Sequence, residues 1–281
     1  MPTARSQAEV WGSPISHSLS PALHRAAYGV LGLDKTYEPQ EVTELTLERT
    51  WAAHSPELFG LSLTMPLKSG IVALVADHDP VVDILGVANT VYFKQETPRL
   101  ANTDPWGVWG ALREHDVVAR RPWILGAGAT ARAVGYGLML QSTQQVTLVV
   151  RSRERAAATA KVLSGIGLEV AVVLATELDG QATPDLVVST LPGGVDAPFV
   201  LPDSAIAHAP LLDVAYHPWP SALATSWSES SKPVISGVWM LVHQALMQIR
   251  LFTHASMETP LADEEQVLEA MKHAAGLAPV E

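Results

Sequence analysis

A glycine-rich turn near the middle of the chain restricts the folds that this sequence can adopt. The apolar segment Pro122–Leu125 runs into Gly126-Ala127-Gly128-Ala129-Thr130-Ala131, and an alanine-rich, helix-like segment continues to Gln141. In such a G-x-G-x-x-A pattern the first glycine permits a tight turn and the second lets the backbone approach a pyrophosphate. A strand before the pattern and a helix after it favour a dinucleotide site over a glycine-rich turn without a ligand.

The residues after the next predicted strand, Val146–Val150, indicate which dinucleotide binds. Proteins that bind NAD usually place an acidic residue there to hold the ribose 2′-hydroxyl. This chain has Arg151-Ser152-Arg153-Glu154-Arg155 instead, and a guanidinium group can bind a 2′-phosphate through two hydrogen bonds. Arginine in a first helical turn also opposes the helix dipole, which a bound anion would offset. Arg151 and Ser152 therefore favour NADP over the alternative, an ordinary solvated helix start.

Composition excludes several classes of protein. Of the 281 residues, 48% are hydrophobic and 17% are charged, which is typical of a globular chain of one large or two ordinary domains. The net charge of −11 argues against general binding to nucleic acid or to an anionic membrane. The absence of cysteine excludes disulfides, thiol nucleophiles and zinc–cysteine sites. The ten histidines form no metal-binding pattern, and we expect no metal.

The order of the predicted elements indicates an α/β protein. Strands alternate with helices most clearly in the second half, as in the βαβ units of a parallel sheet. Ser20 is predicted to be the N-cap of a helix over Ala22–Leu31, and Lys68–Ala76 is predicted to be a second helix. The other predicted strands are Phe59–Thr64, Val87–Phe93, Val170–Leu174, Leu186–Ser189 and Leu211–Val214, and the other predicted helices are Arg153–Leu163, Gly237–Phe252 and Glu264–Ala275.

The sequence contains no segment that reads as a targeting or membrane signal. Met1–Val10 contains Arg5 and Glu9 and lacks the apolar core of a signal peptide. No apolar run reaches the roughly 20 residues of a membrane-spanning helix. We therefore expect a cytoplasmic protein.

Four polar clusters in the first half are candidates for a site. Gly12-Ser13-Pro14-Ile15-Ser16-His17-Ser18-Leu19-Ser20-Pro21 places hydroxyl groups beside a helix start, where they could hold a carboxylate. Thr64-Met65-Pro66-Leu67-Lys68 ends a strand with a lysine, and Val87-Ala88-Asn89-Thr90 and Asn102-Thr103-Asp104 could bind sugar-like hydroxyls. Taken singly, each has an ordinary explanation as a capped loop, a solvated lysine or a turn.

Taken together, these segments resemble the shikimate dehydrogenase family. The four clusters, the loop at Gly126, Arg151-Ser152, Asp213-x-x-Tyr216 and Gly237-Val-Trp-Met-Leu-Val-His-Gln-Ala245 follow the family order over most of the chain. The resemblance implies two α/β domains, a substrate-binding domain over 1–104 and a Rossmann-type NADP-binding domain over 105–236. It also implies that the C-terminal helices, within 237–281, return to the substrate domain.

The family resemblance further implies an activity and a set of roles. The activity is the reversible, NADPH-dependent reduction of 3-dehydroshikimate to shikimate, a step toward chorismate and the aromatic amino acids. Lys68 and Asp104 are the implied catalytic pair. The implied substrate-binding residues are Ser18, Ser20, Thr64, Asn89, Tyr216 and Gln244. The implied cofactor-binding residues are Gly126, Ala127, Gly128, Ala129, Thr130, Arg151, Ser152, Arg155, Val214 and Gly237. A homodimer is the candidate assembly, and neither nucleic acid nor a membrane is an expected partner.

Three departures from the family pattern bear on substrate preference. Ser62 replaces the asparagine often found two residues before the motif threonine, Pro105-Trp106 stand where small or polar residues are common, and Ser221-Ala222 replace Thr-Pro. They leave open a quinate/shikimate dehydrogenase of broader specificity that uses NAD, although the arginine cluster argues against it. The other alternative is a catalytically silent NADP-binding regulator, and the retained lysine–aspartate pair argues against that one.

Overall fold

Two six-stranded sheets organise the chain in the computed structural model, which describes residues 5–194 and 200–277. These residues form two compact units, one of residues 5–103 and 241–277 and the other of residues 104–194 and 200–240. The predicted class of two α/β domains is confirmed. Within the described ranges, no helix combines the length and the apolar character needed to cross a membrane.

The first unit is built on a mixed sheet with the strand order β2-β1-β3-β5-β6-β4. Strand β1 pairs in parallel with β2 and β3, whereas β5 is antiparallel to both of its neighbours, β3 and β6. The strands are β1 Gln7–Gly12, β2 Thr36–Glu41, β3 Leu58–Leu63, β4 Asp77–His78, β5 Thr90–Lys94 and β6 Thr97–Ala101. The helices, numbered along the whole chain, are α1 Ser20–Val30, α2 Glu44–Ala52, α3 Pro80–Leu85 and α10 Glu264–Ala274.

A two-residue turn joins β5 to β6. Gln95 and Glu96 have φ angles of +50° and +71°, and Lys94 pairs with Thr97 across the turn. Two consecutive positive φ angles are typical of the hairpin turns whose twist matches that of the strands. The hairpin register places Thr90 opposite Ala101, so the polar residues that precede β5 lie beside those that follow β6.

The predicted helix over Ala22–Leu31 is present as α1, but its predicted N-cap is wrong, and the predicted helix over Lys68–Ala76 is wrong as a whole. Ser20 is the first residue of α1 and not its N-cap, and the Ser20 N–H donates to Ser18 Oγ at 3.3 Å. Lys68–Ala76 forms only a four-residue 3-10 turn. In an α-helix the Lys68 carbonyl would accept the N–H of the residue four positions later. Here it accepts the Ala88 N–H of a neighbouring segment at 2.9 Å.

The second unit is built on a fully parallel sheet with the strand order β12-β11-β10-β7-β8-β9. Read from the β9 edge, this is the 3-2-1-4-5-6 order of a doubly wound dinucleotide-binding fold, with a reversal between β7 and β10. The strands are β7 Trp123–Leu125, β8 Gln145–Val150, β9 Glu169–Leu174, β10 Val187–Ser189, β11 Leu211–Asp213 and β12 Val234–Ser236. The helices are α4 Asp104–Glu114, α5 Ala129–Leu140, α6 Arg153–Gly165, α7 Asp203–His208, α8 Ala222–Thr225 and α9 Gly237–His254, of which α9 continues into the first unit.

A partly buried ion pair holds α10 on the end of α9. The Arg250 Nε donates to Glu264 Oε2 at 2.7 Å, a second Arg250 nitrogen contacts the other carboxylate oxygen, and Arg250 Nη1 donates to the Met257 carbonyl at 2.6 Å. A bidentate guanidinium–carboxylate pair fixes geometry as well as charge. Helix α10 also packs on α1, and the segment from residue 241 onward belongs to the first unit.

Adding one methyl group at Gly60 tests the packing of α9 on β3. A Cβ at Gly60 would lie 2.5 to 2.7 Å from ring atoms of Phe252, whose ring also contacts Phe59 and His24. We expect Gly60→Ala to lower the free energy of unfolding by about 1–3 kcal/mol, because a packed core resists overfilling. The measurement is the urea midpoint of the variant.

Gly29→Ala is the matched control for that variant. Gly29 lies in α1, and no atom lies within 4 Å of a Cβ built there. Alanine should therefore raise the unfolding free energy by about 0.5–1 kcal/mol, since glycine weakens a helix interior. Equal effects at the two positions would contradict the described contact with Phe252.

Candidate active site

The glycine-rich loop of the second unit follows β7, where the strand order reverses. Gly126 has a φ of +104°, and a Cβ there would lie 2.6 Å from Thr190 Oγ1, so both backbone and space require glycine. A Cβ at Gly128 would meet open space just before α5 begins. In open α/β sheets a ligand binds at this reversal, with its anionic group at the helix N-terminus. The predicted loop residues 126–130 thus lie together where an anion can approach the backbone.

A buried hydroxyl group holds this loop from the side of α6. Thr159, with 1% of its surface exposed, donates its hydroxyl hydrogen to the Ala127 carbonyl at 2.7 Å. Arg132 Nε in turn donates to Thr159 Oγ1 at 3.3 Å. Sequence reasoning missed Thr159, because its partner lies 32 residues away and the residue belongs to no motif. These bonds fix one carbonyl of the loop and so restrict its backbone.

The arginine cluster begins α6. Ser152 is the N-cap, and its hydroxyl oxygen accepts the Arg155 N–H at 3.2 Å. Arg151 and Arg155 are exposed, whereas Arg153 forms an exposed ion pair with Glu177, with Nη1 3.1 Å from Oε1. The ion pair gives Arg153 a reason to occupy the first turn without any bound anion. Arg151 and Arg155 are therefore better candidates than Arg153 for binding an anion.

A buried carboxyl group lies at the end of β11. Asp213 accepts the Ala215 N–H at 3.2 Å and the Ser221 hydroxyl, and Ser221 also caps α8. Burial raises the pKa of Asp213, and the hydrogen bonds from Ser221, Ala215 and Ser189 oppose that rise. A cavity of about 190 Å³ adjoins these residues and is lined in addition by the loop prolines Pro192, Pro218 and Pro220. The departure at Ser221 thus retains a hydroxyl that holds Asp213.

Three more predicted residues follow the last strands of this unit. A Cβ at Gly237 would lie 2.1 Å from the Val214 carbonyl oxygen, so the chain after β11 and the start of α9 are in backbone contact. Tyr216 is half-buried, and burial raises the pKa of its hydroxyl. Val214, Tyr216 and Gly237 therefore belong to one region of the second unit.

In the first unit, three predicted clusters meet at one edge of the sheet. The Thr64 N–H donates to the Trp11 carbonyl at 2.9 Å, and the Ser13 N–H donates to the Met65 carbonyl at 2.9 Å. A Cβ at Gly12 would lie 2.2 Å from the Thr64 methyl group, so glycine is needed there. With the Ala88–Lys68 bond described above, these contacts align the segments that carry Ser18, Ser20, Thr64, Lys68 and Asn89. Lys68 and Thr64 are partly exposed, whereas Ser20 is buried.

The Asn89 side chain is the best-defined part of this edge. Its Oδ1 accepts the Thr103 N–H at 2.8 Å and the Thr90 hydroxyl at 2.7 Å. Its Nδ2 donates to Gln244 Oε1 at 3.1 Å and to Thr103 Oγ1 at 2.9 Å. Because a backbone N–H can only donate, the Thr103 bond fixes which end of the amide is oxygen. The structure thus brings the predicted residues Asn89 and Gln244 into direct contact.

Asp104 is the first residue of α4 and is buried, with 4% of its surface exposed. The departures that follow it serve packing within the second unit. Pro105 occupies the first turn of α4, where a missing N–H costs no helical bond, and its carbonyl lies 2.6 Å from the position of a Cβ on Gly137. The Trp106 ring packs 6.2 Å from that of Tyr136. Pro105 and Trp106 therefore fix α4 against α5.

His24 is a buried, neutral side chain of helix α1. Its ring stacks on Tyr37 with centroids 3.9 Å apart, and its Nδ1 lies 3.2 Å from the Tyr28 hydroxyl. Complete burial lowers its pKa from 6.5 to about 3, and a hydrogen bond with Gln248 only partly opposes this. The imidazole therefore stays uncharged in the folded protein at neutral pH.

The lowered pKa of His24 predicts a loss of stability in mild acid. Between pH 6.5 and about 3 the unfolded chain binds a proton that the folded protein rejects, so stability falls as the pH falls through that window. From pH 7 to pH 5, His24 alone should remove about 2 kcal/mol of unfolding free energy. Urea unfolding of the wild type and of His24→Phe at both pH values isolates this contribution. Equal losses in the two proteins would show that His24 has no such effect.

Within residues 5–194 and 200–277, no three His, Cys, Asp or Glu side chains are placed to hold a metal ion. Residues 10–91 match the family model of the shikimate dehydrogenase substrate binding domain. A shikimate dehydrogenase (NADP(+)) from Methanosarcina mazei is 33% identical to this chain, and the match covers 94% of this chain and 98% of that protein.

Solved structures agree with the sequence comparison. The shikimate dehydrogenase of Mycobacterium tuberculosis is 32% identical, with a TM-score of 0.81 over 95% of this chain and 99% of that one. The enzyme of Thermus thermophilus, solved in complex with NADP(H) and shikimate, is 26% identical, with a TM-score of 0.78 over 96% and 99% of the two chains. The similarity therefore extends over both units of the fold.

Proposed function

Because the chain belongs to the shikimate dehydrogenase family, we propose that it catalyses the reversible, NADP-dependent interconversion of shikimate and 3-dehydroshikimate. The observation that carries this proposal is 33% identity to such an enzyme over 94% of the chain, without a missing unit. The reaction is a step of the shikimate pathway toward the aromatic amino acids. We assign substrate binding to the first unit and NADP binding to the second.

The residues of the second unit fit NADP. The positive φ of Gly126, the open space at Gly128 and the N-terminus of α5 suit a pyrophosphate, which needs close backbone approach. Exposed Arg151 and Arg155, with Ser152 at the start of α6, suit a 2′-phosphate. When bound, NADP supplies the hydride acceptor for alcohol oxidation. Val214 and Gly237 are assigned to the same cofactor.

The first unit supplies groups for a polyhydroxylated carboxylate. Hydroxyl groups of Ser18 and Ser20 near the start of α1 suit the carboxylate. The family pattern assigns Tyr216 to the substrate as well. The amides of Asn89 and Gln244, together with Thr64, suit the hydroxyl groups. Asn89 and Gln244 hold each other's orientation, so a bound hydroxyl would meet a preset amide.

The proton of the reacting hydroxyl group is assigned to the pair Lys68 and Asp104. Oxidation of a secondary alcohol releases a hydride and a proton, and the proton needs a side chain that can accept it. A neutral lysine can act as a general base of this kind, and a carboxylate can hold the reacting hydroxyl group. Retention of both residues favours a catalyst over a silent NADP-binding regulator.

Replacing Lys68 tests the assigned proton transfer. Lys68→Ala should lower kcat for shikimate oxidation by a factor of about 10² to 10⁴, the usual contribution of a positioned acid or base. NADP binding, measured by calorimetry, should stay nearly intact. The control is Lys94→Ala, an exposed lysine at the end of β5, which should leave kcat unchanged. Unchanged turnover of Lys68→Ala would remove Lys68 from the mechanism.

Replacing Arg151 tests the cofactor assignment. Loss of a charge-assisted hydrogen bond usually costs about 1.5–3 kcal/mol, so Arg151→Ala should raise the Kd of NADP by about 10- to 100-fold. The Kd of NAD should change less than about twofold, because NAD lacks the 2′-phosphate.

Arg153→Ala is the control beside it, since Glu177 already holds Arg153. It should weaken NADP binding less than Arg151→Ala does. Parallel losses of NADP and NAD affinity in Arg151→Ala would mean that this side chain does not contact the 2′-phosphate.

A further inference from the structure

A directional chain of hydrogen bonds runs through the core of the first unit. The Tyr37 hydroxyl donates to Ser62 Oγ at 2.6 Å, and the Ser62 hydroxyl donates to Gln248 Oε1 at 2.9 Å. The exposed fractions of these three side chains are 0%, 4% and 1%, so water does not replace these bonds. The chain joins β2, β3 and α9, and one residue of it, Gln248, lies 186 positions from Ser62.

The chain continues from Gln248 to Asn89. Gln248 Nε2 donates to the Asn89 carbonyl at 3.1 Å and to Thr90 Oγ1 at 3.0 Å. The Thr90 hydroxyl then donates to Asn89 Oδ1. Each donor points toward Asn89, so the direction of the Ser62 bond determines which end of the Gln248 amide faces Asn89. The orientation of the Asn89 amide is therefore supported from a side chain that does not contact it.

Ser62 is the central member of this chain of hydrogen bonds, because its hydroxyl group accepts from Tyr37 and donates to Gln248 at the same time. Alanine at this position would leave a buried donor and a buried acceptor without partners, which is the costly way to lose a hydrogen bond.

We propose that Ser62 is a positioning residue whose hydroxyl, which accepts from Tyr37 and donates to Gln248, holds Asn89 in the orientation that binds the substrate. This inference rests on the proposed function, since it concerns how the same site binds shikimate. Ser62 itself is placed in the buried chain and not in contact with the substrate. Its removal should therefore weaken substrate recognition while leaving the cofactor half of the reaction intact.

The test compares steady-state kinetics of the full-length wild type, Ser62→Ala and Ser62→Thr with shikimate and NADP. Ser62→Ala should lower kcat/KM for shikimate about tenfold, mainly through KM, and should leave the KM of NADP within about twofold. Ser62→Thr keeps the hydroxyl and should recover most of the lost kcat/KM. Tyr37→Phe, which removes the first donor and keeps the ring on His24, should lower kcat/KM in the same direction and serves if Ser62→Ala does not fold.

Thr143→Ala separates positioning from loss of stability. Thr143 is also buried, with 4% exposure, and its hydroxyl donates to the Ala119 carbonyl at 2.8 Å in the second unit. It should lower the melting temperature as Ser62→Ala does, yet leave kcat/KM for shikimate unchanged.

The possible outcomes distinguish the two proposals. A wild type that does not oxidise shikimate would overturn the proposed function and the positioning role together. An active wild type with an unchanged KM for shikimate in Ser62→Ala and Tyr37→Phe would overturn the positioning role alone. Equal effects of Ser62→Ala and Thr143→Ala on kcat/KM would also overturn it.

Discussion

The side-chain amide of Asn89 is the contact on which the first unit's site depends. It connects the residue before β5, the segment after β6 and helix α9 through bonds to Thr103 and Gln244. Those partners come from positions 14 and 155 residues away in the sequence, so the amide joins the hairpin to the C-terminal helix. All these groups are buried. A donor or acceptor left without a partner would therefore have lost its hydration without gaining a hydrogen bond. The hydrogen bonds that orient the Asn89 amide are thus part of the buried core of the first unit.

The second unit depends on a constraint of a different kind, the space around its glycines. Gly126 combines a positive φ with a close approach to Thr190, and Gly237 lies against the Val214 carbonyl. Both contacts lie at carboxyl ends of parallel strands, and the one at Gly126 lies where the strand order reverses between β7 and β10, the usual place for a ligand in open α/β sheets. The exposed arginines at α6 then supply the charge that the loop backbone lacks, in a chain whose overall charge is −11.

Local signals allowed much of this to be predicted from the sequence. The loop at Gly126 and the start of α6 at Ser152 depend on residues next to each other, and the glycine, serine and arginine there each have a direct physical reason. Other features depend on distant partners. The Lys68 carbonyl binds Ala88, which prevents the predicted helix, and the turn at Gln95 carries no residue typical of hairpins. Thr159 bonds to a partner 32 residues away, and the two partners of Ser62 lie 25 and 186 residues from it.

Initial rates of the wild-type protein test most directly whether this chain oxidises shikimate with NADP. Shikimate and quinate should each be assayed with NADP and with NAD, and kcat/KM compared among the four combinations. The highest value is expected for shikimate with NADP, because the exposed arginines at the start of α6 suit the 2′-phosphate of NADP. Faster turnover with NAD, or the absence of shikimate-dependent NADPH formation, would contradict this expectation.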